Sequence, residues 1–277
     1  VHDMTPEAEL HLLKVDTGQQ LAKAVDYAIA NGIKVVNHSV AYFGTSFYDG
    51  RGVISEQVSR AARNGILWVN SAGNHALSHY QDIFFDSDND GWQNFQGEDE
   101  TVNVNLKGGK EYTFWLTWSA WNSRDGDYDL YLLDDKLDSD KAVGKTEPLA
   151  PGSQVPAKEL VVTVPEDGDY HLCIRRTGGT KGHVLALFSH PVDLSEHNTL
   201  ERSIPDPAVS EHALAVAAVP QAWWPDGPLE DFSSRGPTNG GLVKPDLAGP
   251  DGVSNLTLGS FFGTSAAAPH VPGVERH

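Results

Sequence analysis

The feature that most constrains the fold of this chain is the alternation of helical and strand-like hydrophobic patterns near its start. Residues 20–32 place apolar side chains at the i, i+3, i+4, i+7 spacing of one helix face, and Asn31-Gly32 is a natural helix stop. Residues 53–65 repeat that helical spacing. Three apolar runs predict strands: 9–15, 33–40 and 66–74. Strands and helices that alternate with short links predict right-handed crossovers and a parallel sheet, so this part of the chain is of the α/β class.

The pattern changes near residue 80, where apolar and polar residues begin to alternate with period two. Five such runs predict strands: 101–109, 111–119, 127–135, 159–176 and 183–189. The turn "PEDGDY" (165–170) predicts a hairpin within the fourth run. An apolar run at 213–219 restores the α/β character. We therefore expect an α/β domain of residues 1–79 and 196–277, interrupted by an all-β, jelly-roll-like sandwich over 80–195.

Charge and composition exclude several function classes. The chain has 277 residues, of which 38 are acidic and 20 basic, so its formal net charge is −18. Such a surface repels phosphates and anionic lipids, and we expect neither nucleic acid nor membrane as a partner. No apolar run approaches the roughly 20 residues that a membrane-spanning helix needs. The single cysteine, Cys173, excludes an internal disulfide.

Three segments carry the motifs that bear on function. They are "VNSAGN" (69–74), "SSRGP" followed by "KPD" within 232–252, and "GTSAAAPHV" (263–271). In this order they resemble the signature segments of the subtilisin-like serine peptidases, and "VVNHSV" (35–40) resembles the strand that lines the substrate in that family. The resemblance implies a subtilisin-like three-layer α/β fold and hydrolysis of polypeptide substrates. It also implies chemistry that needs no cofactor, and a secreted or cell-surface location in a bacterium or archaeon.

The resemblance also assigns roles to individual residues. Ser265 would be the nucleophile at a helix start, and the Asn74 side-chain amide would donate to the oxyanion of the tetrahedral intermediate. The substrate-binding residues it implies are Ser39, Val40, Ala41, Ser71, Ala72, Gly73 and Thr264. Ala41 departs from the glycine that is usual in the family, which puts the shape of the substrate groove in doubt. The structural alternatives are a helix cap for Ser265 and a turn residue for Asn74.

A serine hydroxyl needs a base to take its proton, and the sequence offers no clear one. In the family the aspartate and histidine both precede the serine. Asp16 of "VDTG" is an unpromising candidate, because residues 2–15 resemble the stretch that follows the family's histidine. His270 lies about 140° around a helix from Ser265. We expect His38 to be packed in a central strand, and His75 to lie near the cleft without acting as the base.

We therefore expect a fragment of a serine endopeptidase domain that lacks the triad aspartate and histidine and hydrolyses peptides slowly or not at all by itself. Pro272 stands where the family's serine helix would continue. The alternative is a non-catalytic protein that binds a protein or a polysaccharide on the same scaffold.

The region 80–195 resembles the pre-peptidase C-terminal domains that accompany secreted peptidases, on "GDYDLYLLD" (126–134) and "PEDGDYHLCI" (165–174). Two groups of aspartates are candidate structural calcium ligands: Asp86, Asp88 and Asp90, and Asp125, Asp127, Asp129 and Asp134, of which Asp127 and Asp129 are the central pair. The first group opens like an EF-hand loop, but Gly97 occupies its twelfth position and Glu98 comes one residue late. Solvated acidic turns are the alternative for both groups.

Overall fold

The computed structural model describes residues 1–123, 125–147, 155–255, 257 and 259–271. The chain divides into two compact units, Val1–Ala76 with Glu201–His277, and Leu77–Leu200. The helices are α1 (Gly18–Ala30), α2 (Val53–Arg63) and α3 (Thr264–Ala267). The strands are β1 (Val35–His38), β2 (Leu67–Ser71), β3 (His79–Ile83), β4 (Val102–Leu106), β5 (Glu111–Trp118), β6 (Asp127–Leu133), β7 (Gly144–Lys145), β8 (Ala157–Thr163), β9 (Gly168–Gly178), β10 (Val184–His190), β11 (Ala213–Pro220), β12 (Leu247–Asp251), β13 (Val253–Asn255) and β14 (Gly259–Phe261). Short 3₁₀ turns cover Ser139–Lys141 and Gln221–Trp223.

The first unit is built on a parallel sheet with the strand order β1-β2-β11-β12. All three pairings in this sheet are parallel, with Val36 opposite Trp68, for example, and Leu214 opposite Val69. The parallel α/β sheet predicted from the alternating patterns is confirmed. Strands β13 and β14 form a small antiparallel pair between β12 and α3.

Helices α1 and α2 cover one face of this sheet. Thr17 caps α1: its hydroxyl accepts the Gln20 N–H (3.3 Å), and the Gln20 amide oxygen accepts the Thr17 N–H (3.1 Å). Asp16 lies immediately before this cap. The apolar helix faces pack with Trp68 of β2 in one core, which includes Leu21, Val25, Ala28, Ile54, Val58 and Ala61. Both helices and the apolar faces predicted from the sequence spacing are therefore confirmed.

Helix α3 packs on the opposite face, where neighbouring β2 residues point the other way. Val69 of β2 belongs to a separate cluster that contains Val216, Ala218, Ala267 and Ala268. A Cβ at Gly249 of β12 would lie 2.6 Å from the Ala267 carbonyl oxygen, so glycine is required where helix and strand backbones meet. Helices on both faces give the three layers of an α/β fold. Pro272, predicted to interrupt this helix, lies outside the described residues.

The prediction of a strand over residues 9–15 is wrong. This segment has no regular structure, and Leu10, Leu12 and Leu13 are 46%, 94% and 45% exposed. An apolar run becomes a strand only when its backbone groups pair with a neighbour. Within the described residues β1 pairs with β2 alone, and nothing pairs with 9–15.

The described strands of the second unit form two antiparallel four-stranded sheets, with the orders β3-β10-β5-β8 and β4-β9-β6-β7. Strands of both sheets contribute to one apolar core, which includes Phe114, Trp118, Leu130, Leu172 and Leu187. The predicted hairpin at "PEDGDY" is wrong, because β8 and β9 belong to different sheets. Each strand pairs within its own sheet and turns its apolar face to the shared core, so the turn crosses between sheets. Among the described helices, none has both the length and the apolar character to cross a bilayer.

Candidate active site

The first half of the site is the turn that follows β2. Ser71 ends the strand, and the Ala72 N–H donates to the Val216 carbonyl of β11 (2.9 Å). Gly73 has φ 103°, and a Cβ there would lie 2.8 Å from Pro205 Cδ. The backbone therefore turns in a conformation that only glycine adopts easily, and it places Asn74 on the surface.

The second half is the turn that leads into α3. The Gly263 N–H donates to the Asp251 carboxylate (2.9 Å), and Gly263 has φ 114°. Thr264 follows as the buried first residue of the helix, and Ser265 is half-buried in its first turn. The Ser265 N–H belongs to the free first-turn donors of the helix, because the first N–H to bond back is that of Ala266, to the Gly263 carbonyl.

The two turns meet through Thr264 and Asn74. Asn74 Oδ1 accepts hydrogen bonds from the Thr264 N–H (2.9 Å) and from the Thr264 hydroxyl (2.8 Å). Thr264 Oγ1 in turn accepts the Gly73 N–H (3.1 Å). Two donors on Oδ1 fix the orientation of the amide, so Nδ2 remains as its donor group. The Asn74 carboxamide thus lies at the residue next to Ser265, with Nδ2 at 3.0 Å from where a Gly263 Cβ would stand.

The predicted substrate residues lie at the carboxyl ends of two neighbouring strands. Ser39, Val40 and Ala41 follow β1, and Ser39 and Val40 are exposed. Ser71, Ala72 and Gly73 end or follow β2 and are buried, as is Thr264. Because β1 and β2 are parallel, their carboxyl ends share one edge of the sheet, where open α/β sheets bind ligands. Residues 39–41 are therefore accessible to a peptide, whereas residues 71–73 are buried under the turn that carries Asn74.

Within the described residues, none of the candidate histidines makes a hydrogen bond to Ser265. His38 is buried in β1, which is the end strand of the described sheet and not a central strand; Tyr42 stacks on its ring, and Trp68 packs against it at a tilt. Burial lowers the His38 pKa to about 4, and its hydrogen bond to Asn70 (2.9 Å) offsets this only in part. The His270 ring turns back to the Ala266 carbonyl (3.0 Å).

The remaining histidine, His75, packs edge-on against Phe43, with ring centroids 5.0 Å apart, and its backbone N–H donates to Ser234 Oγ (3.0 Å). Among the described side chains, none makes a hydrogen bond to the Ser265 hydroxyl. The site therefore provides a hydroxyl and oxyanion donors, and the described residues provide no base in contact with that hydroxyl.

A pair of carboxyl groups next to the site, Asp251 and Glu230, was not identified from the sequence. Asp251 is fully buried, and one of its oxygens accepts the Gly263 N–H. Burial, followed by the charge of Asp251 and a hydrogen bond shared with it, raises the pKa of Glu230. A neighbouring carboxylate disfavours the ionised form of a carboxyl group. The sequence feature that could have indicated Asp251 is an acidic residue at the end of a buried strand, in "GPDG" (249–252).

The predicted metal ligands separate into two cases. Asp127 and Asp129 hold the Lys158 ammonium, at 3.0 and 2.7 Å, and the Lys158 side chain is only 5% exposed. A buried lysine occupies the place of a cation, so these two aspartates form an ion pair instead of the predicted calcium site. Asp86, Asp88 and Asp90 do come together, with ligand atoms within 4.8 Å of one another.

Comparisons with known proteins agree with the fold. A model of the subtilase family, peptidase family S8, matches residues 1–115 and 177–275, which is more than half of the chain. The solved structure of the Clostridium perfringens CspB protease superposes with a TM-score of 0.66 at 16% identity. The match covers 96% of this chain and 61% of that one, so the chain spans about three fifths of the length of that protease. No curated protein sequence matches this chain.

Proposed function

The chain belongs to the subtilase family of serine peptidases, and on that premise we propose that it is the nucleophile-bearing part of a serine endopeptidase domain. The observation that carries the proposal is the contact between the Asn74 carboxamide and Thr264, beside Ser265. The Asn74 carboxamide contacts the residue that directly precedes Ser265, although the two are 190 positions apart in sequence. A helix cap alone needs no such amide.

The geometry supports an acyl-enzyme mechanism. Ser265 Oγ attacks the scissile carbonyl carbon while its proton passes to a base, and the carbonyl oxygen becomes an oxyanion. Asn74 Nδ2 and the Ser265 N–H donate to that oxyanion. Collapse of the intermediate breaks the C–N bond, the proton goes to the leaving amine, and water then hydrolyses the Ser265 ester. The exposed segment 39–41 can pair with an extended substrate as an added strand.

We further propose that the base and its orienting aspartate come from sequence that precedes Val1. The support is the edge of the sheet: within the described residues β1 has no partner on its outer side, and Leu10, Leu12 and Leu13 are exposed. A cavity of about 140 Å³ lies along that edge, lined by residues that include His11, Leu13, Val15, Val35 and His38. Further strands at this edge would cover the apolar segment and bring new side chains to the carboxyl ends of β1 and β2.

The test is made on the polypeptide extended with its natural upstream sequence. We expect Asn74→Ala to lower kcat/KM for peptide hydrolysis by about 10²–10³-fold, mostly through kcat, because an oxyanion donor acts in the transition state. Asn64→Ala, at the end of α2, is the matched control and should leave kcat/KM unchanged. Ser265→Ala should abolish both hydrolysis and labelling by a fluorophosphonate probe.

Two outcomes would contradict the proposal. Labelling that persists in Ser265→Ala would exclude this serine as the nucleophile. An extended protein that neither hydrolyses peptides nor accepts the probe would favour the alternative of a non-catalytic binding protein on a subtilase scaffold.

A further inference from the structure

The loop after β3 gathers carboxylates that the proposed peptidase chemistry does not use. The ligand atoms of Asp86, Asp88 and Asp90 lie within 4.8 Å of one another. Asp90 Oδ1 also accepts the Trp92 N–H (2.9 Å), and Gly91 turns the chain with φ 99°. Three carboxylates this close repel one another unless a cation lies among them.

Asp86 gives an observation that is independent of the clustering. Its side chain is only 1% exposed, and its Oδ1 is buried with no hydrogen-bond donor among the described residues. Its Oδ2 lies 3.4 Å from the Lys181 ammonium, a long contact for an ion pair. A buried carboxylate with an unpartnered oxygen is costly, and a directly bound cation would remove that cost.

The fold adds a fourth carboxylate that the sequence spacing did not identify. Residues 96–99 form a tight turn in which the Phe95 N–H donates to the Asp99 carbonyl (2.6 Å). The turn brings Glu100 back to Asn94, whose side-chain oxygen holds the loop through the Ser87 N–H (2.7 Å). Asn94 therefore contacts both Glu100, through Nδ2 (3.4 Å), and the loop of the three aspartates, through Oδ1.

We propose that Asp86, Asp88, Asp90 and Glu100 form a calcium site in the second unit. Only oxygen ligands are present, which suits a hard cation, and four carboxylates suit Ca²⁺, which takes six to eight oxygen ligands, better than the smaller, strictly octahedral Mg²⁺. Glu100 takes the part that an EF-hand gives to its twelfth residue. The extra residues of the 96–99 turn explain the shift from the expected position, and Glu98 is left exposed on that turn.

Lys181 would compete with a bound cation for the carboxylates of this loop. Its ammonium contacts Asn89 Oδ1 (2.7 Å) as well as Asp86, and its side chain is 46% exposed. It offsets part of the loop's negative charge, and it is free to swing into solvent when Ca²⁺ binds. Removal of this charge should therefore strengthen cation binding.

The experiment measures binding of Tb³⁺ to the full 277-residue chain by tryptophan-sensitised luminescence, and its displacement by Ca²⁺. Trp92, which directly follows the loop, is the nearest sensitiser in sequence. We expect saturable binding, a loss of Ca²⁺ affinity of at least about ten-fold in Glu100→Gln, and unchanged affinity in the matched control Glu98→Gln. Lys181→Met should bind Ca²⁺ more tightly.

The readout does not depend on peptide hydrolysis, so it can fail or succeed separately from the proposed function. Far-UV circular dichroism checks that each variant is folded, and Ca²⁺ should raise the thermal midpoint of the wild type more than that of Glu100→Gln. Absence of saturable binding in the wild type would overturn the site. So would equal losses in Glu98→Gln and Glu100→Gln, or displacement of Tb³⁺ by Mg²⁺ as effectively as by Ca²⁺.

Discussion

At the scale of single residues, Asp251 both accepts the Gly263 N–H and faces the Glu230 carboxyl. The first contact positions the turn that carries Thr264 and Ser265. Together with burial, the second raises the pKa of Glu230. The turn of the candidate nucleophile is therefore coupled to protonation, although neither acid contacts Ser265 in the described hydrogen bonds.

This coupling predicts a pH dependence of stability. The Glu230 pKa is raised above its ordinary 4.5, so the folded state keeps a proton that the unfolded chain loses. Its contribution to the free energy of unfolding is therefore largest below about pH 4.5 and falls as pH rises through the folded-state pKa. Glu230→Gln keeps a hydrogen-bond donor without needing a proton, so we expect it to be more stable than the wild type at about pH 8 and equal to it at about pH 4.

The measurement is urea unfolding of both proteins across this pH range. Asp231→Asn, at the exposed neighbouring residue, is the control and should run parallel to the wild type. A constant difference between Glu230→Gln and the wild type at every pH would show that the raised pKa is not the cause.

At the scale of elements, the position of α3 depends on its close approach to β12. The Ala267 carbonyl lies where a side chain at Gly249 would begin, and Ala267 and Ala268 are fully buried against the sheet. Small residues on both elements let Ser265 reach the strand ends. The same logic explains Gly73, where a Cβ would meet Pro205 and Ser234.

Gly249→Ala tests this packing. A contact of 2.6 Å with backbone forces α3 to move, and overpacking of this kind costs about 1–3 kcal/mol of unfolding free energy. Chemical denaturation measures the loss. Gly168→Ala has open space at its Cβ and should change stability by less than about 0.5 kcal/mol. Equal effects of the two substitutions would mean that the contact between α3 and β12 carries no strain.

At the scale of the whole molecule, the chain has two compact units with their own cores and a large excess of negative charge. In the second unit, Lys158 of β8 offsets two of those charges by holding Asp127 and Asp129 of β6. The ion pair therefore ties together strands of two different sheets. Lys158 and Asp129 are too deeply buried for water to replace either of them, with side chains 5% and 4% exposed.

Lys158→Ala should destabilise the second unit by about 3–5 kcal/mol, because it leaves the buried Asp129 carboxylate without its cation. Differential scanning calorimetry should show a lower midpoint for the unfolding of this unit. Lys136→Ala, at an 83% exposed side chain 3.8 Å from Asp134, is the control and should have little effect. Similar shifts in both variants would contradict the importance of the buried pair.

Local patterns determined the helices, most of the strands and the parallel sheet, because hydrophobic period and capping act over a few residues, as in Thr17-Gln20 and the face of α1. The ordered motifs also singled out Ser265 and Asn74 from the sequence alone. The predictions of a strand over 9–15 and of a hairpin before β9 were wrong for one reason. A strand forms only when it pairs with a partner, and an alternating apolar pattern does not identify that partner.

Only the tertiary structure decided which distant polar groups meet. It brought the Asn74 amide into contact with Thr264, paired Asp127 and Asp129 with Lys158, linked Glu100 through Asn94 to the loop of Asp86, and put Glu230 beside Asp251. Electrostatic and hydrogen-bonding energies depend on separations of a few ångströms between atoms. Residues far apart in a sequence have no such separation until the chain has packed.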